Sequence, residues 1–347
     1  MKTRRMTIHN TIRVLPVAIL ILAAFYIGII LIEPKELKDS VVQVQDVGSP
    51  QYHFAVIAQN TDDSFWQSIR SGAFEAAKEF NVAVEFNGPR FTNIAEELQY
   101  LDIAIASRVD GIITHVLDEE QFQPLIDKAE KLNIPVVTIE NDAKNSKRVS
   151  YVGTSGFRLG VEGGRLVVKS RTNSARIAVI LNSYENDGEN VMQNLRIAGL
   201  KDVIKSYPDI KIRTVQTCKP GIFSAEEITK NILNNFPDVD TILCTNSKDT
   251  LGVAQVIVDL NKLGDIVIIG YGNTPEILRY VENKVIYGTV ASNPEKMGYE
   301  SIKALYEVKK NNRTSSYIDT GVNAITAQNV GEYTESEKEK KEQGLKK

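Results

Sequence analysis

The chain has 347 residues, 42% of them hydrophobic and 24% charged, an ordinary globular composition long enough for two lobes or domains. A net charge of −3 offers no basic footprint for nucleic acid. Two cysteines, Cys218 and Cys244, form no CxxC and no metal spacing, so they read as buried free thiols rather than ligands.

Residues 1–13 are basic, with Lys2, Arg4, Arg5 and Arg13. Residues 14–32 follow as nineteen apolar positions without a charge, roughly 28 Å at the helical rise and enough to cross a bilayer core. The basic flank puts the amino terminus in the cytoplasm and the rest outside. A cleaved signal peptide is the competing reading. The apolar run is long, no small-x-small site closes it, and Glu33-Pro34-Lys35 comes at once; an uncleaved anchor is the preferred expectation. No cysteine closes the run, so no lipoprotein anchor is expected. Residues 33–51 are a polar tether.

The first strand is the apolar run 54–58, β-branched and short as buried parallel strands are. A polar loop with Asp62 and Asp63 leads to Ser64-Phe65-Trp66, after which Phe65, Ile69 and Ala73 recur at helical spacing. Trp66 is the only tryptophan. Adjacent helix positions project roughly 100° apart, so Phe65 and Trp66 cannot fill one core site, and one ring should face a cleft. The bland alternative is that both pack the first helical turn.

Strands at 82–86, 110–114 and 134–139 alternate with helices at 93–107 and 121–132. The pattern restarts after residue 153: helix 156–169, strand 175–181, helix 188–207, strand 210–216 and helix 224–235, with Ser224 and Glu227 spaced as a capping box. Strand 240–244, helix 251–263, strand 265–270, helix 275–282, strand 285–291 and helix 296–310 complete it. Such alternation means βαβ units, parallel sheets and a doubly wound α/β fold. With no disordered linker between the halves, two lobes should face one another. Residues 332–347 form a charged, apolar-poor tail.

Catalytic motifs are scarce. GxxxxGK[ST] and GxGxxG are absent, and Gly160, Gly163 and Gly164 fit close helix packing at least as well as a phosphate loop. His115 ends a strand and could line a cleft, but it stands without a serine elbow or paired carboxylate. No enzyme, cofactor or metal site is expected. Polar residues do gather after the strands: Asp63 with Phe65 and Trp66, Glu140-Asn141, Asn246-Ser247-Lys248, and Tyr271-Gly272-Asn273. Carboxylates and amides suit hydroxyl groups, and aromatic faces suit the C–H surface of a sugar.

From Tyr52 to Thr326 the chain resembles the type I periplasmic sugar-binding proteins, the ribose- and xylose-binding group, whose fold is shared with the sensor domain of lactose-repressor-like regulators. Asp63-Ser64-Phe65-Trp66 stands where that family carries an Asn-Pro-Phe-Phe-like loop, and Glu140-Asn141 where its fourth strand ends in Asp-Arg. The resemblance sets the family's helix arginine at Asn194, ahead of Arg196-Ile197-Ala198-Gly199-Leu200. Its Asn-Asp pair falls on Asn246-Ser247, its Gly-Phe-Asp on Gly270-Tyr271-Gly272, and its crossover glutamine on Ser292. Two arginines and two aspartates of the pattern are thus missing, and the identity of the sugar does not carry over.

The resemblance implies two doubly wound lobes joined by a three-strand hinge. They are expected at residues 52–154 plus 293–320 and 155–292 plus 321–331, closing over a small neutral sugar, a pentose and D-xylose first. A DNA-binding repressor is set aside, since an apolar span stands where its helix-turn-helix would be. The anchor makes the layout similar to membrane-anchored xylose-binding sensors that pair with LytS-type histidine kinases. Signalling to such a kinase is therefore expected ahead of delivery to an ABC permease.

Overall fold

Near-continuous apolar runs make most of the strands, as expected of sheets covered on both faces. The structure, a computed structural model, describes residues 50–171, 174–182, 191–219 and 221–334. The basic segment 1–13, the expected span 14–32, nearly all of the tether and residues 335–347 of the tail lie outside the described residues. Among the described residues no helix is long and apolar enough to cross a membrane.

The first sheet holds β1 (His53–Ile57), β2 (Ala83–Asn87), β3 (Gly111–Thr114), β4 (Val136–Ile139), β5 (Ser150–Gly153) and β11 (Tyr317–Asp319). Its order is β11-β5-β4-β3-β1-β2, every pairing parallel. The second holds β6 (Ala175–Asn182), β7 (Ile210–Cys218), β8 (Thr241–Cys244), β9 (Val267–Tyr271), β10 (Gly288–Ala291) and β12 (Asn323–Thr326). Its order is β12-β10-β9-β8-β6-β7. The chain therefore passes between sheets after β5, after β10 and after β11.

One edge departs from the all-parallel expectation, because β12 runs antiparallel to β10. β11 ends at the carboxyl side of its sheet. Carrying straight on through residues 320–322, the chain meets the second sheet from its carboxyl side, and so against the other strands. β5, β11 and β12, of three or four residues each, were not expected as strands. The strand expected from 285 begins only at Gly288.

Helices follow the strands with caps in the connecting loops. Asp63 caps Ser64–Phe80, Asn93 caps Ile94–Ala106, Asn246 caps Ser247–Asp259, Thr274 caps Pro275–Glu282 and Asn293 caps Pro294–Asn311. The expected capping box at Ser224 does not form. Helix Ile222–Asn235 starts two residues earlier, after Gly221 at φ 142, which offers no side-chain bond, so Ser224 lies inside the first turn.

In each lobe two helices touch backbone to backbone through glycines. A Cβ on Gly160 would stand 1.9 Å from the Arg196 carbonyl, and one on Gly199 would stand 2.0 Å from that of Phe157. This locks Gly156–Ser170 onto Val191–Ile204. Gly72 and Gly298 do the same for Ser64–Phe80 and Pro294–Asn311. Cys218 and Cys244 are free and buried, as expected, and burial foremost pushes the Cys218 thiol up to about 12.

Candidate functional site

The carboxyl ends of both sheets and the capped starts of the helices after them open on one cleft of about 710 Å³. Open α/β sheets hold their ligands at this end. Asp63, Phe65, Trp66, Glu140 and Asn141 line it from the first lobe, Asn246 and Tyr271 from the second, and Ser292 from the crossing after β10.

Several of these side chains have local duties too. Asp63 Oδ1 accepts from the Phe65 amide at 2.9 Å as the helix cap, while Oδ2 lies 3.9 Å from Lys248 Nζ of the other lobe. Asn246 Oδ1 accepts from the Lys248 amide at 2.8 Å. The Tyr271 hydroxyl meets Ser292 Oγ at 3.2 Å, joining the β9 end to the crossing. Asn141 is half-buried beside Glu140.

The aromatic pair divides. Phe65 is half-buried at the cleft. Trp66, 2% exposed, packs in the first lobe's core with Phe54, Ile69 and Met297, and only its edge reaches the cleft floor against His115, 5.5 Å between ring centroids. Trp66 thus belongs to the core while also lining the cleft.

Glu140 sits at φ 64, a left-handed conformation costly for a residue with a Cβ. Two bonds hold it there: its amide donates to the Val152 carbonyl at 3.0 Å, and the Tyr151 hydroxyl donates to its own carbonyl at 2.7 Å. With its backbone turned this way the carboxylate reaches the cleft, 34% exposed. Desolvation pushes that carboxyl above the usual carboxylate range, against the pull of His115 and then Arg196.

Asn194 is a correction. It is exposed and does not line the cleft, whereas Arg196 does. Two residues on a helix are about 200° apart, so within Val191–Ile204 the two side chains face opposite ways. Arg196 Nη1 donates to the Thr245 carbonyl at 2.5 Å, and its guanidinium lies 4.7 Å over the Tyr271 ring. Its buried Nε has no protein acceptor among the described residues, leaving a donor beside the cleft.

Other lining residues were absent from the expected set. His115 was noted at its strand end and set aside for want of a serine elbow or a paired carboxylate; the carboxylates near it, Glu97 and Glu140, come from distant parts of the chain. Glu97 lies behind His115; its signal was an acid on the helix face that carries Ile94 and Leu101. Lys248 was visible only as part of a polar triplet. Among the described residues no cluster of His, Cys, Asp and Glu has the form of a metal site.

Residues 54–313 match the family profile described as "periplasmic binding protein domain". The chain is 24% identical over 269 residues to the D-allose-binding periplasmic protein of Escherichia coli (strain K12), covering 75% of this chain and 85% of that one. Among solved structures, GanP, a glucose-galactose binding protein from Geobacillus stearothermophilus, is 34% identical at a TM-score of 0.74, covering 80% of this chain and 98% of that one. A chain of the XylFII-LytSN complex is 30% identical at a TM-score of 0.70, with coverages of 80% and 98%.

Proposed function

We propose, from the premise that the chain belongs to the periplasmic binding protein domain family, that it is a receptor for a small neutral sugar and signals sugar occupancy across a membrane. It is a binding protein and not an enzyme, as its relatives are. The observation that carries the sugar reading is the shared cleft. Carboxylate, amide, guanidinium and ring groups from both lobes converge there, and a ligand touching both lobes favours the closed form by its differential affinity. A pentose is the preferred ligand, D-xylose first.

Residues 14–32 would anchor the protein, with the cleft domain outside and the tether between. The likeness to a chain of the XylFII-LytSN complex supports a sensor histidine kinase as the partner that reads the closed form. Delivery to an ABC permease is the second reading. It is favoured by curated relatives such as the ribose import binding protein of Bacillus subtilis (strain 168), 21% identical over 265 residues.

Calorimetry of the protein without residues 1–33 against xylose, ribose, arabinose, galactose and glucose tests the ligand. A micromolar Kd is expected, about 8 kcal/mol on the standard scale. Heat from charged or phosphorylated ligands alone would overturn the neutral-sugar reading. Co-purification with a kinase or with a permease separates the two partners.

A further inference from the structure

Under the cleft floor lies a charged arrangement that sugar contact alone does not explain. Glu97, on Ile94–Ala106, is 0% exposed, and neither carboxylate oxygen has a hydrogen-bond donor at normal distance among the described residues. Its ionic neighbour among the described residues is His115, with Nδ1 3.4 Å from Oε1. His115 is itself 1% exposed, and its other nitrogen, Nε2, is 3.7 Å from Glu140 Oε2. The Trp66 ring stands edge-on to the imidazole at 87°.

A neutral imidazole has one N–H and one lone pair. Here each nitrogen has a carboxylate oxygen within 3.7 Å, so in the neutral form one lone pair would sit beside an anion. A buried carboxylate without a counter-charge is costly, and a doubly protonated ring answers both demands.

Resting on the sugar reading of the cleft, we propose that His115 is a positioning residue: an imidazolium held by the buried Glu97 counter-ion, which fixes Glu140 Oε2 and leaves the rest of that carboxylate for a ligand hydroxyl. Sugar affinity is then linked to the His115 proton. The charged groups around the bridge are few. Glu97 and Glu140 act on His115 directly, while Arg196, Asp63 and Glu97 itself act on Glu140 beside His115; Trp66 brings no charge. Burial is the largest single influence on His115 and opposes its charge, but Glu97 and then Glu140 outweigh it and raise its pKa.

Trp66 is the only tryptophan and touches the imidazole, so its emission reports the proton without any ligand. In the full-length protein, emission should rise with pH as the quenching imidazolium is lost, with a midpoint above the ordinary histidine value of about 6.5. His115→Gln should abolish this titration, and the isosteric Glu97→Gln should lower its midpoint. Calorimetry with the sugar panel should show affinity falling about fivefold or more from about pH 6 to about pH 9, the low end of typical linkage. In His115→Gln the affinity should be weaker and independent of pH.

A midpoint at or below the ordinary value, or one unmoved by Glu97→Gln, overturns the bridge whether or not a sugar binds and whether or not His115→Gln folds. Sugar binding that ignores both pH and His115→Gln overturns the positioning role. Failure of every sugar to bind overturns the sugar reading and the linkage with it, and the emission titration then decides the bridge alone.

Discussion

Asp63 and Lys248 face each other across the cleft, Oδ2 to Nζ at 3.9 Å, from helices that belong to opposite lobes. The lysine side chain is 57% exposed, and pairs of this kind contribute about 0.2–1 kcal/mol. A pair of this strength contributes little by itself to holding the two lobes together.

Lys248→Met should therefore weaken sugar binding by less than about fivefold and reduce the salt dependence of affinity, measured by titration at low and high ionic strength. A loss of tenfold or more would mean that Lys248 touches the ligand itself. Asp63→Asn keeps an acceptor for the Phe65 amide and should leave Tm nearly unchanged. Asp63→Ala should cost about 0.5–2 kcal/mol of stability through the lost cap.

The two rings after Asp63 should separate folding from binding. Trp66→Ala removes a residue that is 2% exposed and should cost about 3–5 kcal/mol of ligand-free stability. Phe65→Ala, at a half-buried cleft position, should spare more of the stability and lose on the order of 2 kcal/mol of affinity. Denaturant unfolding and calorimetry on both variants give the comparison. A Trp66→Ala protein with unchanged melting would contradict its place in the core.

Arg196 should behave as a ligand residue and Asn194 should not. Arg196→Lys retains the charge but loses the planar fork and the stacking on Tyr271. Affinity should fall roughly tenfold or more, the scale of charge-assisted hydrogen bonds. Asn194→Ala should leave affinity unchanged. Equal losses from both would mean that the helix is rotated from the orientation described.

Ligand-free stability should depend on pH at both ends. Burial is the largest influence on Asp319 and pushes its carboxyl up, but the Gly321 amide and Arg158 outweigh it and hold it low. A depressed carboxylate stabilises above its unfolded value, about 3.9, and that contribution is lost as pH falls through the lower folded value. His115 is raised. Its contribution is complete below the unfolded value of about 6.5 and is lost as pH rises through the folded one. Glu140, also raised, adds a loss in the same direction that starts near the ordinary carboxylate value of about 4.3 and runs up to its raised folded value. Unfolding curves across pH should show Asp319→Asn flattening the acid limb and His115→Gln flattening the alkaline limb; an unaltered alkaline limb in His115→Gln would contradict the second assignment.

The alternation of strands and helices, the polar loops at strand ends and the loop after β1 were readable in sequence because their causes are local. A buried parallel strand needs an unbroken apolar run, and a helix start needs a short polar cap, so Asp63 and Asn246 stand out within a few residues of context. The tertiary structure decided what depends on direction and on distant partners. Arg196 rather than Asn194 faces the cleft because of the rotation that Gly160 and Gly199 impose on their helix pair. β11 and β12 are too short to show a period and become strands only when they add to edges already built. His115 looked isolated in the chain; Glu97 and Glu140 reach it only after β3, β4 and helix Ile94–Ala106 pack together, since burial and charge pairing belong to positions in space rather than in sequence.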